Sequence, residues 1–254
     1  MLADRDSEKP FIEDSGPLRY LRFNLDDVQS VMRHDDPDAL CLAYTRKMMA
    51  FLLFNAEPRR VLLVGLGGGS LAKFCYRHLP AASITVLEID PNVLALREEF
   101  RVPEDDERFR VIQGDGVAYI GRRGIWRDAR HERRQDVILV DACDQHGLSP
   151  TLSAPDLYAN LRRRLSVNGV LVMNICGEET DVESHVARMR GVFGNDHLIS
   201  LPAVEDGNLI VLGFRKPPRE WDGAELDRHA RVLESRFGLA FPRFARQLLR
   251  GSVV

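Results

Sequence analysis

From residue 61 onward, short apolar segments rich in β-branched residues alternate with segments of helical periodicity. Several of the apolar segments contain no alternating polar residues, which is typical of strands buried on both faces of a sheet. The alternation predicts an α/β fold with a doubly wound, Rossmann-like sheet of seven mostly parallel strands, in which a short turn at 203–207 makes one edge antiparallel. The predicted strands are residues 61–64, 84–87, 109–113, 136–140, 169–175, 197–201 and 208–214, and the predicted helices between them are residues 71–79, 92–101, 154–165 and 180–193.

The two ends of the chain follow other patterns. Residues 18–23 and 28–32 predict a small β-hairpin that is too short to fold alone, and a helix is predicted from about 37 to 54. After the last strand, helices are predicted at 221–237 and 241–250. The predicted division of the chain is a β-hairpin element with a lead-in helix (1–55), a nucleotide-binding catalytic domain (56–216) and a helical extension of that domain (217–254).

Charge and composition argue against several classes of partner. The chain has 35 basic and 38 acidic residues and a net charge of −3, which gives no electrostatic basis for binding nucleic acid. The longest apolar run, residues 48–54, is far shorter than the ~20 residues of a membrane span, and the N-terminal residues lack a secretory signal. The segment 121–135 contains six arginines and predicts an exposed loop. We therefore expect a cytoplasmic protein without a nucleic-acid or membrane partner.

The four cysteines are Cys41, Cys75, Cys143 and Cys176. Their spacing matches neither a zinc site nor a redox dithiol, and the seven histidines show no metal-ligand spacing. We expect four free thiols, as is usual in a reducing cytosol, and no bound metal.

A glycine-rich turn follows the first strand of the predicted sheet, in the segment VLLVGLGGGS at 61–70. Glycines allow the backbone to approach a ligand at a helix N-terminus, where unpaired N–H groups are available. Glu88 ends the second strand, where an acid can accept hydrogen bonds from ribose hydroxyls, and Asp115 follows the third, where it can accept one from an adenine amino group. A dinucleotide site would prefer glycine in place of Ser70. The sequence therefore predicts an adenosyl sulfonium ligand, bound by Gly65, Gly67, Gly69, Glu88 and Asp115.

Two carboxylates follow the fourth strand, in the segment VILVDACDQHG. Asp141 and Asp144 lie at the carboxyl edge of the predicted sheet, beside the switch point where ligands bind. Together they could hold a cationic amine, and one of them could accept its proton. In isolation, two aspartates in a loop could equally be solvated turn residues.

These segments resemble the spermidine/spermine synthase family, the polyamine aminopropyltransferases, over about residues 17–214. The strand before the glycines is VLLV, with Leu63 where most methyltransferases have an acid, as in that family. The blocks VLEID, GDG and VDACD follow in the family's order, and LDDVQS at 25–30 is similar to the family's LDGVVQ strand. The resemblance implies the methyltransferase type of fold.

The resemblance also implies an activity and a set of roles. The activity is transfer of an aminopropyl group from decarboxylated S-adenosylmethionine to a small amine. Gln29 would contact the sulfur end of the donor, Glu88 the ribose, and Asp115 with Gly116 the adenine. Family members commonly pair through the N-terminal region, so a homodimer is implied as well.

On the acceptor side, the resemblance makes Asp141 the proton acceptor and Asp144 a ligand of the amine, with Tyr44 in the substrate site. Here the chain departs from the family. Gly68 replaces an aspartate of the glycine turn, and Leu148 replaces a proline. After the tyrosine, Thr45 stands where the family has glutamine or histidine, and Arg46 stands where it has glutamate.

These departures leave two alternatives open. Without the loop aspartate, intact S-adenosylmethionine could be the donor, and the protein would be a methyltransferase acting on an unknown small acceptor. The other alternative is a protein that binds an adenosyl nucleoside without catalysis.

Overall fold

The computed structural model describes residues 9–121, 134–144, 147, 148, 152, 154, 156–203 and 207–249. Most of the arginine-rich segment 121–135 and part of the turn 203–207 lie outside these residues. Within the described ranges, no helix combines the length and the apolar character that a membrane span requires.

A seven-stranded sheet forms the centre of the fold. Its strand order is β11-β12-β10-β7-β4-β5-β6, and all neighbours are parallel except β12, which is antiparallel to both β10 and β11. The predicted doubly wound sheet with an antiparallel edge is therefore confirmed. The strands of the chain are β1 (Phe11–Ser15), β2 (Leu18–Arg22), β3 (Val28–Arg33), β4 (Arg60–Val64), β5 (Ser83–Glu88), β6 (Phe109–Gln113), β7 (Gln135–Val140), β8 (Cys143–Asp144), β9 (Gly147–Leu148), β10 (Leu165–Ile175), β11 (Leu198–Ala203) and β12 (Asn208–Phe214).

Helices cover both faces of this sheet, which explains why several of its strands are apolar throughout. Val61 and Leu63 of β4 belong to one hydrophobic core, whereas Leu62 and Val64 belong to a second core on the opposite face. The first core also contains residues of α1, α2, α7 and α8, and the second contains residues of α4, α5 and α6. The helices are α1 (Ala43–Met48), α2 (Ser70–His78), α3 (Pro91–Ala95), α4 (Gly116–Gly121), α5 (Leu157–Arg164), α6 (Glu179–Phe193), α7 (Gly223–Phe237) and α8 (Phe241–Leu249).

The N-terminal element is a sheet of three strands rather than the predicted hairpin. β2 and β3 form the expected antiparallel pair, and β1 adds a strand to the outer edge of β2. The sequence pattern does not reveal β1 because four of its five residues are exposed, so no face of it is apolar. On the other side of the sheet, Ser30, Val31 and Met32 of β3 are buried. The most deeply buried strand of the element is therefore β3, and its Ser30 contacts the glycine-rich segment through Ser70.

Two predicted helices are shorter than expected. The segment 37–54 contains only α1 and a following 3₁₀ helix at Met49–Leu53, all five residues of which are buried. A run of apolar residues that is buried on every side has no periodicity from which its helix type could be read. In the segment 92–101, helix α3 ends at Ala95, and Phe100 turns into the core at 1% exposure. Tertiary packing overrides helix propensity there.

Candidate active site

A cavity of about 780 Å³ opens at the carboxyl edge of the sheet, where β4 lies between β5 and β7. This is the switch point at which doubly wound sheets bind ligands, and the volume is typical of a small-molecule site. Gly69 does not line the cavity, although Gly65 and Gly67 of the same turn do. The predicted site residues that the structure brings together around the cavity are Gln29, Tyr44, Gly65, Gly67, Glu88, Asp115, Gly116 and Asp141.

Glu88 ends β5 and holds the glycine-rich turn in place. Its Oε2 accepts a hydrogen bond from the backbone N–H of Leu66 at 2.8 Å, and its Oε1 accepts one from that of Asp90 at 2.9 Å. The residue is buried, yet it lines the cavity. Because each carboxylate oxygen has two lone pairs, both retain acceptor capacity toward a ligand. The arrangement is compatible with hydrogen bonds to ribose hydroxyls, which stays a prediction.

Asp115 follows β6 and directly precedes α4, a helix that is too short for its periodicity to be recognised in the sequence. Its Oδ1 accepts a hydrogen bond from the backbone N–H of Val117 at 2.8 Å. The next residue, Gly116, lies so close to β4 that a Cβ atom there would be 2.5 Å from Cγ1 of Val64. This contact explains why glycine stands beside Asp115 at the cavity wall.

The glycine turn itself packs tightly against the segment that follows β7. Gly65 has a φ of +97°, and a Cβ atom at this position would lie 1.9 Å from the carbonyl oxygen of Asp141. The backbone N–H of Asp141 donates to the carbonyl oxygen of Val64 at 2.9 Å. Gly65 thus permits the close approach that places Asp141 beside the turn.

Gly68, the position where the resemblance leads us to expect an aspartate, has no room for a side chain. A Cβ atom there would lie 2.6 Å from Oγ of Ser30 and 2.9 Å from Cδ1 of the buried Phe100. The Ser30 hydroxyl is itself hydrogen-bonded to that of Ser70 at 3.2 Å. Ser30 and Phe100 therefore fill the space that an aspartate side chain at position 68 would need.

We expect Gly68→Ala to lower the free energy of unfolding by about 1–3 kcal/mol, the usual cost of inserting atoms into a packed region. Gly114→Ala is the matched control, since a Cβ atom at Gly114 meets no described atom within 4 Å and its φ is not positive. Urea unfolding of both variants measures the difference. Equal midpoints for the two variants would contradict the packing seen around Gly68.

Asp141 follows β7 and lines the cavity, and both of its carboxylate oxygens are hydrogen-bonded to neighbouring side chains. Its Oδ1 accepts a hydrogen bond from Nδ2 of Asn174 at 2.9 Å, and its Oδ2 accepts one from the Tyr44 hydroxyl at 3.2 Å. Burial raises the pKa of the Asp141 carboxyl, and the two hydrogen bonds act in the opposite direction. A carboxylate with a raised pKa is a better proton acceptor than an exposed one.

Asn174 is a site residue that the sequence analysis missed. It lies on β10, beside the strand that leads into Asp141, and it lines the cavity. Its signal in the sequence is a single polar residue in the apolar run 170–175, which is otherwise buried core.

The segment after Asp141 forms a small antiparallel ladder of β8 and β9, in which Asp144 pairs with Gly147. The side chains of Asp144 and Leu148 lie outside the part of the chain that the structure describes, as does His146. The predicted role of Asp144 in binding an amine therefore stays a prediction.

The residues after Tyr44 are arranged so that Arg46 does not enter the cavity. The Arg46 guanidinium donates hydrogen bonds to the carbonyl oxygens of Leu40 and Cys41, at 2.9 and 2.5 Å. Thr45 lines the cavity, and its hydroxyl donates to the carbonyl oxygen of Leu42 at 2.8 Å. The arginine that replaces a family residue is thus used to fix the loop before α1.

The prediction of four free thiols is wrong for two of them. Cys143 and Cys176 form a disulfide bond with a Cα–Cα distance of 6.3 Å, whereas Cys41 and Cys75 are free. The pair is 33 residues apart in sequence, but Cys143 follows β7 and Cys176 follows β10, which are neighbours in the sheet. The two cysteines are close because they follow neighbouring strands, and not because they are close in the sequence. The spacing of the cysteines in the sequence therefore could not predict the disulfide bond.

Comparisons with known proteins find relatives that match most of the chain. Residues 41–196 match the family model of the spermine/spermidine synthase domain. The chain is 37% identical over 238 residues to a polyamine aminopropyltransferase of Chromobacterium violaceum, which covers 93% of this chain and 88% of the relative. A crystal structure of a probable spermidine synthase from Corynebacterium glutamicum is 19% identical with a TM-score of 0.68, covering 96% of this chain and 91% of that one. The structure of human methyltransferase-like protein 13 in complex with SAH is 27% identical with a TM-score of 0.66, covering 78% and 93%.

Proposed function

Because the chain belongs to the spermine/spermidine synthase domain family, we propose that it transfers an aminopropyl group from decarboxylated S-adenosylmethionine to a small amine. The observation that carries the proposal is the position of Asp141, a partly buried carboxylate with a raised pKa on the wall of a cavity beside a glycine-rich turn. Curated relatives named polyamine aminopropyltransferase, at 35–37% identity over most of the chain, support the same reaction.

In this reaction the amine nitrogen attacks the aminopropyl carbon that is bonded to the sulfonium sulfur. The N–C bond forms while the C–S bond breaks, and the electron pair of the C–S bond stays on sulfur, which leaves as the neutral thioether methylthioadenosine. The nitrogen releases one proton, which Asp141 accepts. An alkyl amine has a pKa near ~10 and is mostly protonated at neutral pH, so a proton acceptor beside the nitrogen is needed.

The protein's other task is to align the two substrates. Glu88 would hold the ribose, and Asp115 with Gly116 the adenine, since both sites line the same cavity wall. Gln29 of β3 would lie against the sulfur end of the donor, and Tyr44 and Asp144 would complete the amine site. The homodimer and the cytoplasmic location stay predictions.

A methyl transfer from intact S-adenosylmethionine is the second candidate function, and the environment of Gly68 favours it. The contacts of Ser30 and Phe100 leave no space for an aspartate there, so no carboxylate at this position repels the carboxylate of an intact donor. The 27% identity to human methyltransferase-like protein 13 supports the same alternative.

Calorimetric titration with the two donors separates these functions. For aminopropyl transfer we expect decarboxylated S-adenosylmethionine to bind at least about tenfold more tightly than the intact form, a difference of ~1.4 kcal/mol. Equal or tighter binding of intact S-adenosylmethionine would contradict the aminopropyl assignment and direct the search to methyl acceptors.

A further inference from the structure

The disulfide bond between Cys143 and Cys176 belongs to the wall of the candidate active site. Both cysteines line the cavity, and both are partly exposed. Exposed disulfide bonds are the ones that external thiols reach and reduce, and they are the ones that serve in regulation. A small thiol that enters the cavity can therefore reach this bond.

The bond lies in register with the hydrogen bond of the carboxylate that accepts the proton. Strands β7 and β10 are parallel neighbours in the sheet. Just beyond their last pair, Asp141 is hydrogen-bonded to Asn174 at 2.9 Å. Two positions further along both segments, Cys143 is bonded to Cys176. The disulfide bond thus continues the pairing of the two strand ends past the proton acceptor.

The amine side of the site is the part that this bond holds. Asp144, the predicted ligand of the amine, directly follows Cys143 in the sequence. Glu88 and Asp115, the predicted ligands of the donor, belong to β5 and to the segment after β6, and both strands lie on the other side of β4 from β7. Opening the bond should therefore disturb the amine side and leave the donor side in place.

We propose that Cys143 and Cys176 form a redox switch of turnover, in which the disulfide holds the amine side in its active arrangement and a dithiol that enters the cavity lowers the rate by opening the bond. The proposal rests on the proposed aminopropyl transfer. A thiolate of the dithiol attacks one sulfur and forms a mixed disulfide, and the second thiol of the reagent then displaces that sulfur. Two electrons and two protons pass to the two cysteines, and the dithiol becomes a cyclic disulfide. Oxidised glutathione reverses the reaction and is itself reduced to two thiols.

The test measures release of methylthioadenosine from saturating decarboxylated S-adenosylmethionine with 1,4-diaminobutane, before and after the native protein is treated with dithiothreitol. We expect reduction to lower kcat/KM for the amine about tenfold or more, because small displacements of aligned groups have effects of at least this size. The Kd of the donor, measured by calorimetry in both states, should change by less than about threefold, which also shows that the reduced protein stays folded. Oxidised glutathione should restore the original activity.

The double variant Cys143→Ser/Cys176→Ser should have the kinetic constants of the reduced wild type and should not respond to dithiothreitol. Cys41→Ser is the matched control, because Cys41 is a free and partly exposed thiol, and its replacement should leave the response intact.

Three results would overturn the proposal while the proposed function stands: a bond that dithiothreitol cannot reduce in the native protein, equal turnover of the oxidised and reduced wild type, or a donor affinity that falls as much as the activity. If the wild type binds the donor but releases no methylthioadenosine in either redox state, the proposed function itself is wrong, and the proposal with it.

Discussion

Asp141→Asn is expected to lower kcat by about 100-fold or more, which is the usual contribution of a positioned proton acceptor. The asparagine retains the shape of the side chain, and its oxygen can still accept one hydrogen bond from Asn174 or Tyr44. It cannot take a proton from the attacking amine. Because Asp141 faces the amine in the proposed reaction, the Kd of the donor, measured by calorimetry, should change by less than about threefold.

Asp136→Asn is the control for this variant. Asp136 lies near the start of β7, the strand that Asp141 follows. Its carboxylate accepts hydrogen bonds from the backbone N–H groups of Arg59 and Arg60, and it does not line the cavity. Its replacement should leave kcat unchanged. If Asp141→Asn also keeps the wild-type kcat, the assignment of Asp141 as proton acceptor is wrong.

The dependence of kcat on pH gives a second measure of the same role. Because the pKa of Asp141 is raised, the wild-type kcat should begin to fall at a higher pH than an exposed aspartate would allow, as acid protonates the carboxylate. The residual activity of Asp141→Asn should lack this acid limb, since the amide does not titrate. An acid limb that is identical in both proteins would assign the titration to another group.

The sheet could be predicted from the sequence because its strands are buried on both faces. Val61–Leu63 and their neighbours must be apolar to contact two separate cores, and this requirement is visible as uninterrupted apolar runs. Helix lengths could not be predicted as well. Helix α3 ends at Ala95, and the ring of Phe100 is buried in the core. Where such a helix ends depends on tertiary contacts rather than on local sequence.

Part of the candidate site could likewise be predicted from the sequence, and part of it could not. Glu88 ends a strand of the parallel sheet, and Asp115 and Asp141 each follow one. The fold itself therefore brings the three carboxylates to one edge, and their positions along the chain predict this. The hydrogen bond between Asp141 and Asn174 joins the ends of two strands, and the two residues are 33 positions apart in the sequence. No periodicity in the sequence predicts this contact. The bond between Cys143 and Cys176 joins the same two strand ends.

This disulfide bond should contribute about 3–4 kcal/mol to the free energy of unfolding, because it closes a loop between two cysteines that are 33 positions apart in the sequence. Urea unfolding with and without dithiothreitol measures the contribution. Cys143→Ser should unfold at the same urea concentration as the reduced wild type, whether or not reductant is present. Cys41→Ser is the control, because Cys41 is free and its replacement should leave the effect of reductant intact.

Alkylation in denaturant establishes which cysteines are joined. Without reductant the wild type should be labelled at Cys41 and Cys75 alone, and with reductant at all four cysteines. Cys75 must be counted after unfolding, because burial raises its pKa to about 12 and keeps the thiolate from forming in the native protein. Labelling of all four without reductant, together with an unchanged urea midpoint, would overturn the bond. In that case no disulfide bond would link the segments that carry Asp141 and Asn174, and the positions of these two residues would depend on hydrogen bonds and packing alone.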